Sequence, residues 1–110
     1  MEKTSLTALV RRQLDGARHA TSGRSAQTIH GGHGHMLRQT LIALKEGYAL
    51  DEHDRQGEAT LHVLHGRVRL LSEGDGWDAM AGDLLVIPDR RHAVEALEDA
   101  AFLLTVALPR

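Results

Sequence analysis

From Met36 to the end of the chain the sequence falls into short apolar or alternating runs: residues 36–44, 47–50, 59–65, 67–71, 77–80, 83–87, 92–97 and 101–107. Glycine or an acidic turn separates each run from the next. Runs this short, bounded by turn residues, read as strands rather than helices, which need ten or more residues of sustained period. His65-Gly66 and Glu73-Gly74-Asp75-Gly76 are glycine-bearing turns. Pro88 ends the run Leu84-Leu85-Val86-Ile87, because proline has no N–H to give to a ladder. About eight such strands predict an all-β sandwich, jelly roll or barrel. At 110 residues the chain is one domain. Area scaling gives it roughly 17,000 Å² of unfolded and roughly 6,000 Å² of folded surface, enough burial for one core. Aromatics are only 3% (Trp77, Tyr48 and Phe102), so leucine, valine, isoleucine and alanine must fill that core.

Ahead of the strands, Leu6, Leu9, Val10, Leu14 and Ala17 recur at helical spacing, with Thr4 or Ser5 placed as the cap and Gly16 or Gly23 as the stop. The spacing predicts a helix over 5–20, lying outside the β-domain and burying its stripe on one face of it or on a partner subunit. Thr21 to Gly34 reads as loop, with a strand-like island at 26–29. The expected division is thus 1–24, helix and linker, and 25–110, β-domain.

Thirteen basic and fifteen acidic side chains leave a net charge of −2 without any long run of one sign, which argues against nucleic acid as a partner. No apolar stretch reaches the roughly 18 residues of a membrane span, and the N-terminus lacks the pattern of a secretory signal, so a cytoplasmic protein is expected. With no cysteine, disulfides, thiolate nucleophiles and cysteine-held zinc are excluded. The chemistry must then rest on eight histidines, whose full protonation would carry the formal charge from −2 to +6.

Two spacings stand out among them. Gly47 is followed after five residues by His53, with Gly66 closing the next run; Gly82 is followed after five residues by Pro88 and then by His92. This resembles the paired motifs of the cupin superfamily, G-x5-H-x-H-x3,4-E-x6-G and G-x5-P-x-G-x2-H-x3-N, over residues 36–108. The hairpin Leu61-His62-Val63-Leu64-His65-Gly66-Arg67-Val68 and the run Ala81-Gly82-Asp83-Leu84-Leu85-Val86-Ile87-Pro88 carry the likeness further. The resemblance implies a cupin-type conical β-barrel, or double-stranded β-helix, forming a homodimer. In metal-dependent cupins the ligands are two histidines and a glutamate from the first motif and a histidine from the second. Those positions fall here on His53, Arg55, Ala59 and His92. The second motif is one residue short before His92, with Arg90 at its glycine and Ala96 at its asparagine.

His53 and His92 are therefore the candidate ligands for one divalent transition metal, manganese, iron, nickel or zinc; without it, no cofactor is expected. A metal wants at least three protein groups. Glu58, one residue before the glutamate position, would complete the shell if a bulge turned it inward. His33 or His35, from Ile29-His30-Gly31-Gly32-His33-Gly34-His35, would do so from a glycine-rich loop. Arg55 cannot ligate a cation, but its planar fork suits a carboxylate or phosphate. Strand alternation sets Ala59, Leu61 and Val63 on one face, His62 on the other, and His92 with Val94 and Ala96. The same reasoning puts Gln39, Leu41 and Ala43 toward the cavity, with Gln39 as a ligand-binding residue. Leu64 and Leu70 are left on faces that a partner subunit would cover, while His19 and His65 read as surface. The leading expectation is a small cupin binding a small, anionic molecule beside a degenerate metal site. The second is a metal-dependent enzyme of dioxygenase or isomerase type, and the third a structural or interaction domain.

Overall fold

The helix forms as its pattern predicts. In the computed structural model, which describes residues 1–53, 57–88 and 90–108, α1 spans Leu6–His19, capped by the Ser5 hydroxyl, which accepts a hydrogen bond from the Ala8 N–H. Leu9, Gln13, Leu14 and Ala17 make its buried stripe. Arg18 and His19 occupy its last turn, where the helix dipole favours positive charge.

Nine strands follow: β1 (Arg24–His30), β2 (Leu37–Leu44), β3 (Ala49–His53), β4 (Glu58–His65), β5 (Arg67–Ser72), β6 (Asp75–Met80), β7 (Leu84–Val86), β8 (His92–Ala96) and β9 (Ala100–Ala107). They form two antiparallel sheets, one in the order β1-β2-β9-β4-β7 and the other β3-β8-β5-β6. The island at 26–29 is thus the middle of a full strand. The helix packs on β1, β2 and β9, so it forms an outer layer over the first sheet.

One core lies between the sheets. Ile42, Leu44, Ala59, Leu61, Val63, Ala100, Phe102 and Val106 enter it from the first sheet; Val68, Leu70, Val94 and Ala96 enter from the second. Burying such side chains contributes about 1.5–3 kcal/mol each, and Phe102 is the largest of those fully buried. Two facings differ from the sequence reading. In β2 it is Ile42 and Leu44 that join the core, while Ala43 packs with Leu14, Ala17 and Ala101 under the helix. Gln39, Leu41 and Ala43 therefore face outward. Because α1 covers that side, residues 41–44 are all buried and the alternation that would have told the faces apart is erased. Leu70, expected on a free face, is 1% exposed in the core, since β5 turns Val68, Leu70 and Ser72 inward.

Gly66 shows why β4 and β5 are joined as they are. Its φ is +74°, and a Cβ there would overlap the Asp99 carbonyl oxygen, so only glycine lets the β4–β5 turn meet the β8–β9 turn.

Candidate functional site

The chain crosses between the two sheets at the end of the barrel where β3 ends and β4 and β8 begin. On the first sheet, Arg38, Val106 and Ala59 are aligned across β2, β9 and β4. Val106 and Ala59 belong to the core, so this row lies on the inner face and Arg38 brings a cation to the barrel mouth. Thr40 is two residues further in on the same face, its hydroxyl 3.3 Å from that of Thr28 on β1.

On the second sheet, His92 shares its face with Val94 and Ala96 and is 3% exposed. Its Nδ1 lies 3.1 Å from the Arg90 carbonyl oxygen. A carbonyl can only accept, so Nδ1 carries a hydrogen in this contact. His53 is the Cα partner of His92 across β3 and β8, beyond an irregularity after Leu50. Directly opposite residues of an antiparallel pair have Cα atoms about 4.5–5.5 Å apart. The two histidines singled out by motif spacing are therefore neighbours on one ladder, although they are 39 positions apart.

The other sequence candidates are placed as follows. Arg55 lies outside the described residues. Glu58 is exposed, in regular register with Ala107, and the β4 ladder keeps step as far as Val63. The bulge that would have turned Glu58 inward is absent from that stretch. His33 and His35 are exposed, and the ring of His35 meets that of His30 edge-on with centroids 4.9 Å apart. Gln39, on the outer face, donates from Nε2 to the Thr105 hydroxyl at 3.3 Å. His62 is half-buried on that same face, aligned with Leu103 and Leu84, as the alternation of β4 required. Among the described residues no three histidine, aspartate or glutamate side chains converge as a metal shell.

The sequence reading missed Arg38, whose parity became legible only once the β2–β9 register was known. It also missed the surroundings of Arg90. The Arg90 guanidinium lies over the Trp77 ring at 5.6 Å, with Nη1 at 3.3 Å from Glu73 and Nη2 at 3.8 Å from Asp75. The neighbouring Arg91 carbonyl accepts a 2.7 Å hydrogen bond from the Ser72 hydroxyl. The alternation of 73, 75 and 77 around a glycine turn was the available signal.

No family sequence profile and no curated protein sequence matches the chain. Solved structures do. A cupin superfamily protein from Desulfitobacterium hafniense superposes with a TM-score of 0.72 at 15% identity, covering 78% of each chain. An RmlC-like cupin from Desulfovibrio desulfuricans gives 0.67 at 26% identity, over 76% of this chain and 81% of that one. A salicylate 1,2-dioxygenase from Pseudaminobacter salicylatoxidans gives 0.75 at 16% identity, over 91% of this chain but 33% of its own. The fold is that of the cupin superfamily, in a small barrel with one added helix.

Proposed function

We propose that this small cupin binds a small anionic molecule at the mouth between His53, His92 and Arg38, beside one divalent transition metal held by the two imidazoles. The observation that carries the reading is the cross-strand pairing of His53 with His92, the latter buried with its Nδ1 against a backbone carbonyl. Metal-bound histidines commonly donate their other nitrogen in this way. The donor set fits manganese, iron, nickel or zinc in kind, though it supplies a pair rather than a full shell. A carboxylate of the bound molecule would then complete the coordination, with Arg38 and Arg55 as its counter-charges. Bound metal would supply Lewis acidity.

The test is elemental analysis of protein purified without a histidine tag, followed by titration with Mn²⁺, Fe²⁺, Ni²⁺ and Zn²⁺. One equivalent per chain is expected, with at least a tenfold loss of affinity in the His53→Ala, His92→Ala double variant. Equal metal in parent and variant would overturn the reading. A second reading, a dioxygenase or isomerase, is favoured by the likeness to the salicylate 1,2-dioxygenase. Oxygen uptake by the iron-loaded protein with salicylate as probe decides for it, and absence of uptake leaves the binding role. Protein that takes up neither metal nor carboxylate is the interaction domain of the third expectation.

The proposal includes a homodimer built on the outer face of β9, β4 and β7. Leu84 and Val86 are 62% and 76% exposed there, beside half-buried Leu64 and Leu103. Such a face with few charges commonly meets a second copy.

A further inference from the structure

We propose that Arg90 is a positioning residue for His92, clamped by the β5–β6 hairpin so that its own carbonyl fixes the imidazole. This rests on the metal-site reading above only for its effect on ligand affinity.

Arg90 contributes two different atoms to two different structures. Its carbonyl oxygen accepts the His92 Nδ1–H at 3.1 Å. Its guanidinium is held by the Trp77 ring at 5.6 Å, Glu73 at 3.3 Å and Asp75 at 3.8 Å. Its own N–H donates to the Pro88 carbonyl at 2.9 Å, a further restraint on its backbone. Anchoring the guanidinium at three points restrains the Arg90 Cα, and with the bond to Pro88 this limits where its carbonyl can point; the ring of His92 is hydrogen-bonded to that carbonyl. One nitrogen, Nε, is buried with no hydrogen-bond partner, a cost accepted for the stacked placement.

A second observation points the same way. Glu73 has φ +49°, the only positive φ at a non-glycine among the described residues. With Gly74 at +86° it makes the two-residue turn between β5 and β6, where asparagine or glycine would be favoured. A glutamate kept in that conformation needs a reason outside the turn. Its contact with Arg90 is such a reason, because asparagine is too short to make it.

The experiment compares the parent with Arg90→Ala and Glu73→Asn. Neither substitution removes the carbonyl that His92 uses, so a change at His92 reports its position. The imidazole tautomer of His92 is read by ¹⁵N NMR in metal-free protein, and Mn²⁺ and Zn²⁺ affinities by calorimetry. Arg90→Ala is expected to change the single Nδ1–H form into a mixture and to weaken metal binding by about 10-fold, the lower end of what losing such a partner costs, because the carbonyl itself remains. Glu73→Asn should shift His92 in the same direction while the melting temperature stays level or rises, since the turn itself improves. A purely structural role predicts the opposite pairing, a changed melt with an unchanged tautomer. An unaltered tautomer in folded Arg90→Ala overturns the proposal. If the parent binds neither metal, the metal reading fails, and the clamp is decided on the tautomer alone.

Discussion

At the scale of single residues, the position with the clearest consequence outside the site is Asp99. It accepts from the Arg18 guanidinium at 2.7 Å and from the Glu46 N–H at 2.8 Å, tying the end of α1 to the β2–β3 and β8–β9 turns. The Arg18 hydrogen bond and then the Glu46 N–H hold its carboxyl below the ordinary carboxylate range. A carboxyl with a lowered folded pKa stabilises the protein above its unfolded pKa of about 3.9, and that stability is lost as pH falls through the folded value. Asp99→Asn should therefore melt lower than the parent at pH 7, by the equivalent of about 1 kcal/mol for a partly exposed pair. The difference should shrink as pH falls below about 3.9 and be gone once the folded carboxyl is protonated, which paired melting curves from pH 2 to 7 would check. None of this was legible in the sequence, because Arg18 and Asp99 are 81 positions apart and neither belongs to a motif. His53 and His92 were legible, since glycine and proline at fixed offsets mark where their strands begin and end. Gln39 was placed on the wrong face because a residue near a strand terminus inherits its facing from register, which spacing alone does not fix.

Among the elements, α1 was read correctly because its stripe has the 3.6-residue period and its cap is a single serine. Its buried leucines make it part of the fold rather than an appendage. Leu14→Ala, which empties a site closed by Ala17, Ala43 and Ala101, should cost about 2–5 kcal/mol in chemical denaturation. The exposed Arg11→Ala, on the same helix, should cost under about 0.5 kcal/mol. Equal effects of the two would mean that the helix is not docked. β2 was found but misread, and β1 was seen only in part, as the island 26–29: its exposed, polar sequence Arg24-Ser25-Ala26-Gln27-Thr28 carries no alternation. Such a strand is defined by its neighbour, which no local pattern can reveal.

For the whole molecule, the fold was legible from strand rhythm, while the use of its outer surfaces was only half so. The helix packs mainly on β1, β2 and β9 and leaves the β7 side of the first sheet exposed. If that remainder is the subunit contact, sedimentation at micromolar concentration should give a mass near twice the 12.0 kDa of one chain. Val86→Asp, on the exposed edge strand β7, should return it to the single mass with the metal stoichiometry per chain unchanged. A parent sedimenting at 12.0 kDa would end the dimer proposal.

The double burial of β2 has a consequence for how this sequence tolerates change. Leu41, Ile42, Ala43 and Leu44 form a wall shared by two compartments, the barrel on one side and the helix layer on the other. A strand with one face in water, such as β5, offers drift at alternate positions, whereas β2 and the start of β9 are covered on both faces. In β2 four consecutive positions are closed to polar replacement, and a change of volume on one side presses through the backbone on the packing of the other. Inheritance of the barrel and inheritance of the helix are thereby linked: a lineage that lost α1 would strand Leu41 and Ala43 in solvent and would have to rewrite this strand to keep the fold.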